Sequence, residues 1–398
     1  MKKSKILSLL LVAIVIIASI ALFAACTDED VVIPESGAFG TVLNNVDGTV
    51  TVYDYDGEPF TFTPGTIQRI VNLWPANTSG ALALGAEPYF VARVAGMLTP
   101  WQALMFPDYA ALTAEVPAAA GPANVEGLMT LEPDLIIGHP SNVAVLKELD
   151  YNGYKLPVVN INFTTYDEMK ITYKVLGEIL GGRVKENANA WGDMLVANIK
   201  RISDGLAGVT ARPVTYYTAG GVDFAATMGM SALAQSNVVN EWTVAAGGTH
   251  WQKYLLDKGI PSTSFLSGQS VNVEFFSTEL PDKIFIGGGQ KQALIDILAG
   301  TSQSPWTGIA VEIGVENCVF MPYALFDWGR FGAESALQIL WAARELHPTI
   351  FADHTKSTYI DMTAETIAFY KDFVGFEGMN TGYAERILSG LQPNGTIY

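Results

Sequence analysis

Asn124-Val125-Glu126-Gly127-Leu128-Met129-Thr130-Leu131-Glu132-Pro133-Asp134-Leu135-Ile136-Ile137-Gly138 decides the fold, because the chain repeats its outline at Asn272-Val273-Glu274, Pro281-Asp282 and Ile284-Phe285-Ile286-Gly287. Both copies read N-V-E, six residues, P-D, then an apolar β run. Each Glu stands at the start of a short helix that leads into a strand. Two copies so far apart imply two similar lobes, each presenting one carboxylate at the same place. Matched acids on twin lobes suit a protein that docks on a two-fold partner.

The pattern around the first copy is α/β. Arg69 to Leu73, Tyr89 to Val94, Leu135 to Gly138 and Val158 to Ile161 read as strands. A helix is expected over Thr78 to Leu84, with Thr78 or Ser79 as N-cap. Strands separated by helices indicate a parallel sheet. Residues 183–207 carry Val184, Ala188, Trp191, Leu195, Ile199, Ile202 and Leu206 in an i, i+4, i+7 rhythm, which predicts one long helix stopped by Arg212-Pro213. A second series follows: strands at Val214 to Tyr217, Ile284 to Gly287 and Cys318 to Met321, with helices at Gly332 to Leu346 and Thr363 to Val374. The fold class expected is therefore α/β, two lobes with parallel sheets flanked by helices and joined by a single long rigid helix. The organisation reads as 1–25 export signal, 26–64 tether with a small β-hairpin over 41–63, 65–182 first lobe, 183–207 interlobe helix and 208–398 second lobe.

The amino terminus has Lys2, Lys3 and Lys5 ahead of an apolar run from Ile6 to Phe23, then Ala24-Ala25-Cys26. This is an export signal with a small-residue cleavage site. It resembles a bacterial lipobox, with Phe23 where Leu is usual, and that resemblance makes Cys26 the lipidated first residue of the mature chain. The alternative is a membrane-spanning anchor; Asp28, Glu29 and Asp30 directly after the cysteine favour lipidation. Cys318 is the other cysteine, so no disulfide framework is expected and Cys318 reads as a small core residue. Lys and Arg number 23 against 40 Asp and Glu, a formal charge of −17, and loss of the signal removes three more lysines. Such a chain is a poor partner for nucleic acid.

Arg69-Ile70-Val71, Ala83-Leu84-Gly85-Ala86, the N-V-E…L-E-P-D-L-I-I block and Leu176-Gly177-Glu178-Ile179-Leu180-Gly181 occur in that order. Together, over about residues 65–390, they resemble the periplasmic-binding, FecB-type solute receptors of ABC importers for iron complexes, haem and cobalamin, the class III solute-binding proteins. The resemblance implies a ligand cleft between the lobes, no enzymatic activity, and salt bridges from one Glu per lobe to the permease dimer. The matching positions are Glu126 and Glu274. The alternative role for each is to favour a helix N-terminus. The implied protein is a monomer with no cofactor of its own, lipid-anchored on the outer face of the cytoplasmic membrane. Its partners are a metal chelate or oxyanion and a permease with its ATPase.

A cleft between such lobes is lined by loops at strand ends, the usual ligand position in open α/β sheets. The first lobe offers Trp74, Asn77, Arg93 and His139; the second offers His250, Trp251, Tyr323, Trp328 and Arg330. Arg330 suits carboxylate, catecholate or oxyanion groups through its planar fork, and Trp74 and Trp328 suit a flat ligand. The alternative readings are core packing for the tryptophans and pairing of Arg330 with Asp327 or Glu334. The region Pro322 to Ala343, with Trp and Arg before a Glu-Ser helix, resembles a segment found in receptors for iron complexes and in molybdate-binding relatives, and does not separate these ligands. Four histidines without a short-spaced Cys, Asp or Glu partner disfavour direct ligation of zinc or manganese. Gly287-Gly288-Gly289 lacks the spacing and Lys of a phosphate loop and reads as a turn. There is no G-x-S-x-G elbow to support a hydrolase. The reading is a receptor for an iron complex, with molybdate or tungstate as the alternative ligand.

Overall fold

The computed structural model describes residues 36–398 apart from 118–124, 139, 149, 152–153, 219–236, 268–269, 272, 288–291, 293–294, 297–298, 300 and 302–311. The expected hairpin over 41–63 is a three-stranded antiparallel meander, β1 (Val42–Asn44), β2 (Val50–Tyr53) and β3 (Pro59–Phe62), because both turn sequences reverse the chain. Asp54 anchors it to the first lobe. One of its carboxylate oxygens accepts from the Asn160 backbone N–H at 3.0 Å and pairs with Lys147 Nζ at 2.6 Å.

The first lobe is built on β4 (Ile70–Asn72), which is followed by α1 (Pro75–Ala83). Pro75 presets the helical φ at the first position, so Trp74, not Thr78 or Ser79, is the N-cap and makes no side-chain cap bond. The expected strand over 89–94 shortens to β5 (Arg93–Val94), preceded by a 3-10 turn at Glu87–Tyr89. Then come α2 (Pro100–Met105), β6 (Glu115–Val116), α3 (Val125–Thr130), β7 (Leu135–Gly138) and β8 (Val158–Asn160). β7 is central between β8 and β4, with both pairings parallel. All three strands are buried along their length, as strands covered on both faces are.

Two helices follow back to back. α4 (Tyr166–Leu180) opens with a capping box between Thr165 and Glu168. α5 (Gly182–Gly205) has 24 residues, close to the span that the periodicity predicts. It buries Val184, Ala188, Trp191, Leu195 and Ile202 and packs against α4.

The second lobe has β9 (Val214–Thr218), α6 (Asn237–Ala245), β10 (Thr249–His250), α7 (Val273–Phe276), β11 (Lys283–Ile286), β12 (Cys318–Phe320), α8 (Ser335–Leu346) and α9 (Met362–Ala368). Its sheet is parallel in the order β10-β9-β11-β12. α8 is buried from Ser335 to Ala343 and packs on α5. Residues expected to open that helix, Gly332 to Glu334, form its cap turn instead. α9 passes into a π-helical turn at Phe369–Phe373. Cys318 is half-buried rather than fully so, and burial pushes its thiol pKa up to about 11.

The repeated sequence has a structural reason. Asp134 Oδ2 accepts from the backbone N–H groups of Gln68 and Arg69 at 2.8 and 2.9 Å, and Asp134 N–H donates to the Arg69 carbonyl at 2.8 Å. Asp282 does the same to Val214, at 2.7 and 2.8 Å. In both lobes the aspartate clamps the entry of the first strand. The register is shared as well: Ile70 faces Leu135, and Thr215 faces Lys283.

Candidate functional site

β12 delivers the chain at Met321 into the loop 322–334. Three sets of hydrogen bonds fix its shape. Asp327 Oδ2 accepts from Tyr217 Oη at 3.1 Å and Oδ1 from the Gly329 N–H at 2.8 Å. Glu334 Oε1 accepts from the Leu325 N–H at 2.6 Å and from Tyr370 Oη at 3.0 Å. From the first lobe, Thr99 Oγ1 donates to the Ala324 carbonyl at 2.9 Å and Gln102 Nε2 to the Leu325 carbonyl at 2.7 Å. Position 329 requires glycine, since a Cβ there would enter the Tyr217 ring. Arg330 stays exposed, with Tyr217, Asp327 and Tyr323 close enough to act on its charge.

The first lobe meets this loop through aromatic rings. Trp74 lies against Phe163 with centroids 4.4 Å apart, and Phe163 lies 6.2 Å from Phe331. Tyr166 stacks on Phe331 at 4.8 Å and 20°. Phe163 and Tyr166 follow the end of β8, so these contacts join the strand ends of one lobe to the loop of the other. Such pairs contribute about 0.5–1.5 kcal/mol each beyond their burial. Beside them Glu241 of α6 accepts a backbone hydrogen bond from Tyr166; burial raises its pKa against that bond, with Asp167 and Glu168 adding repulsion.

The residues proposed from sequence divide into groups. Tyr323 and Arg330 are brought together with Tyr217 and Asp327, and Trp74 is half-buried in the aromatic contact. Trp328, Asn77, His250 and Trp251 are buried among core side chains, at 1, 0, 1 and 0% exposure, and present no surface to a ligand in this conformation. Burial lowers the His250 pKa to about 4, so the ring is neutral at physiological pH. Arg93 is bound to Glu115 at 3.0 Å and to the Leu112 carbonyl at 2.8 Å. His139, Cys26 and Gly288-Gly289 lie outside the described residues. Glu126 is exposed on the first turn of α3. Glu274 occupies the same place in α7, and its side chain is outside the described residues. Phe163, Tyr166, Tyr217 and Phe331 were missed from sequence, and Asp327 was named only as a pairing partner for Arg330. The signal that reaches the first three is position, at or just past the end of a parallel strand.

No family model and no curated protein matches the sequence. Solved structures do. A periplasmic solute-binding protein from Veillonella parvula aligns with a TM-score of 0.64 at 18% identity, over 85% of this chain and 96% of that one. The molybdate periplasmic binding protein MolA of an ABC transporter from Haemophilus influenzae, solved with molybdate, aligns at 0.61 and 19%, over 81% and 97%. CeuE from Helicobacter pylori, solved in a Ni-His complex, aligns at 0.60 and 16%, over 85% and 99%. Parallel sheets in two lobes and alignment over nearly the full length of these proteins show that this chain has the fold of the periplasmic solute-binding proteins of ABC transporters.

Proposed function

We propose that the protein is an extracytoplasmic solute-binding lipoprotein of an ABC importer. It captures an iron complex, such as a ferric siderophore or haem, between its lobes and delivers it to the permease. The observation that carries this reading is the exposed Arg330 at the strand end, backed by Tyr217 and Tyr323 and adjoining the Trp74–Phe163–Phe331 contact. A cation beside aromatic walls suits a flat chelate bearing carboxylate or catecholate groups. Cys26 is the lipid anchor. Residues 26–64 are the tether and meander, 65–182 and 208–398 the lobes, and 183–207 the stiff connection that limits hinge opening. Glu126 and Glu274 dock on the two halves of the permease, and the receptor binds without turnover as a monomer.

A second reading, capture of molybdate or tungstate, is favoured by the likeness to MolA. A melting series with a ferric siderophore, haem, cobalamin and molybdate tests both. A ligand at a hundred times its dissociation constant adds about 2.7 kcal/mol. A shift with molybdate alone selects the second reading, and a flat series refutes both.

A further inference from the structure

A separate cavity of about 470 Å3 opens where three distant stretches meet: Gln68 to Phe106 of the first lobe, the start of α5 at Arg183, and Val374 to Phe376 after the π-helical turn. Its volume falls in the range of small-molecule sites. None of the strand-end residues described above lines it. Tyr89, Phe106 and Phe376 give it aromatic walls, and Arg183 and Glu87 give it opposite charges.

Arg183 is held in place. Its Nη2 donates to the Val374 carbonyl at 3.1 Å. Its Cδ lies 3.3 Å from where a Cβ of Gly85 would stand, and Nη2 lies 2.5 Å from that of Gly375. Both glycines have positive φ, 95° and 89°, so neither position accepts a side chain readily. The acceptor of Arg183 is a carbonyl, which leaves its charge unneutralised by that contact. Glu87 Oε1 accepts from the Tyr109 N–H at 3.0 Å, again a neutral partner. A cation and an anion thus line one cavity, and each bonds to neutral backbone.

We propose that this cavity binds a zwitterionic amino acid with an apolar or aromatic side chain. Arg183 takes the carboxylate, Glu87 the ammonium, and Tyr89, Phe106 and Phe376 the side chain. Arg183 and Val184, in the first turn of α5, line the cavity, and the positive end of the helix dipole there favours the same carboxylate. An occupant bridges the first lobe, α5 and the carboxy-terminal segment.

Calorimetric titration of the full mature chain with L-phenylalanine tests this, with 3-phenylpropanoate and phenethylamine as probes that carry one charge each. Saturable binding of L-phenylalanine is expected, with each single-charge probe weaker by about tenfold or more, as loss of a charge-assisted hydrogen bond dictates. Arg183→Met abolishes the L-phenylalanine signal. Glu87→Gln, whose amide oxygen still accepts from Tyr109, brings L-phenylalanine down to the level of 3-phenylpropanoate. If Arg183→Met does not fold, the Glu87→Gln comparison decides alone. No saturable heat from L-phenylalanine, or equal affinity for it and 3-phenylpropanoate in the native chain, overturns the proposal.

Discussion

Asp134 and Asp282 perform one task in two lobes: each carboxylate accepts the backbone N–H that opens its lobe's first strand, while its own N–H returns a bond to that strand. The difference between them is one hydrogen bond. Asp134 holds two N–H groups, Gln68 and Arg69, and Asp282 holds Val214. Net hydrogen bonds to charged groups contribute about 1.5–3 kcal/mol, less where water competes. Asp134→Ala is therefore expected to cost about 2 kcal/mol, and Asp282→Ala about half of that. Urea unfolding of both variants checks the order; equal losses contradict it.

Glu334 and His250 set opposing pH dependences. Burial raises the Glu334 carboxyl to about 7 from 4.5, and its hydrogen bonds from Tyr370, Leu325 and Phe326 offset only part of that. In the window between those values the folded state holds a proton that the unfolded state has lost. Stability from this group is highest at low pH and falls as pH rises towards 7, by roughly 3 kcal/mol in all. His250 acts the other way. Its folded value of about 4 lies below 6.5, so stability is lost as pH falls from 6.5 towards 4. Between pH 4.5 and 6.5 the two slopes partly cancel. Glu334→Gln removes one of them, and its stability should rise with pH more steeply there than the native protein's. Urea titrations at pH 4.5, 5.5, 6.5 and 8 measure this, and parallel curves refute it.

Trp191 joins α5 to both lobes. It is fully buried, meets Tyr173 edge to face at 4.7 Å, and donates through Nε1 to the Ala333 carbonyl at 2.8 Å. Trp191→Ala should cost about 3–5 kcal/mol. Trp191→Phe keeps most of the packing and strands the carbonyl, a loss of about 1–3 kcal/mol. Thermal unfolding that leaves Trp191→Phe as damaged as Trp191→Ala would show that the hydrogen bond outweighs the packing.

The proposed docking role of Glu126 and Glu274 separates transport from capture. The double variant Glu126→Ala, Glu274→Ala is expected to abolish uptake in cells while the purified protein binds ligand unchanged. Weaker ligand binding would move these acids to the ligand site, and unimpaired uptake would remove them from docking.

Local pattern revealed the repeat and the long helix for concrete reasons. The Pro-Asp pair recurs because the aspartate closes the same strand entry twice, and α5 keeps a helical rhythm because one face is buried along its length. Boundaries shifted where a single residue decided them, as Pro75 did for α1. The candidate site was less legible. Phe163 and Phe331 meet from different lobes, far apart in sequence, and neither has a local signal that names the other. Trp328, Asn77 and His250 sit where strand-end position suggested, but the direction of their side chains depends on the packed neighbours and turns them inward.

Equilibrium titration of the native protein and of Arg330→Gln with the iron complex that raises the melting temperature tests the central claim most directly. The account predicts saturable binding of one ligand per chain, weakened about tenfold or more in Arg330→Gln through loss of charge-assisted bonds. Equal affinity in the two proteins, or no binding of any iron complex or oxyanion, contradicts it.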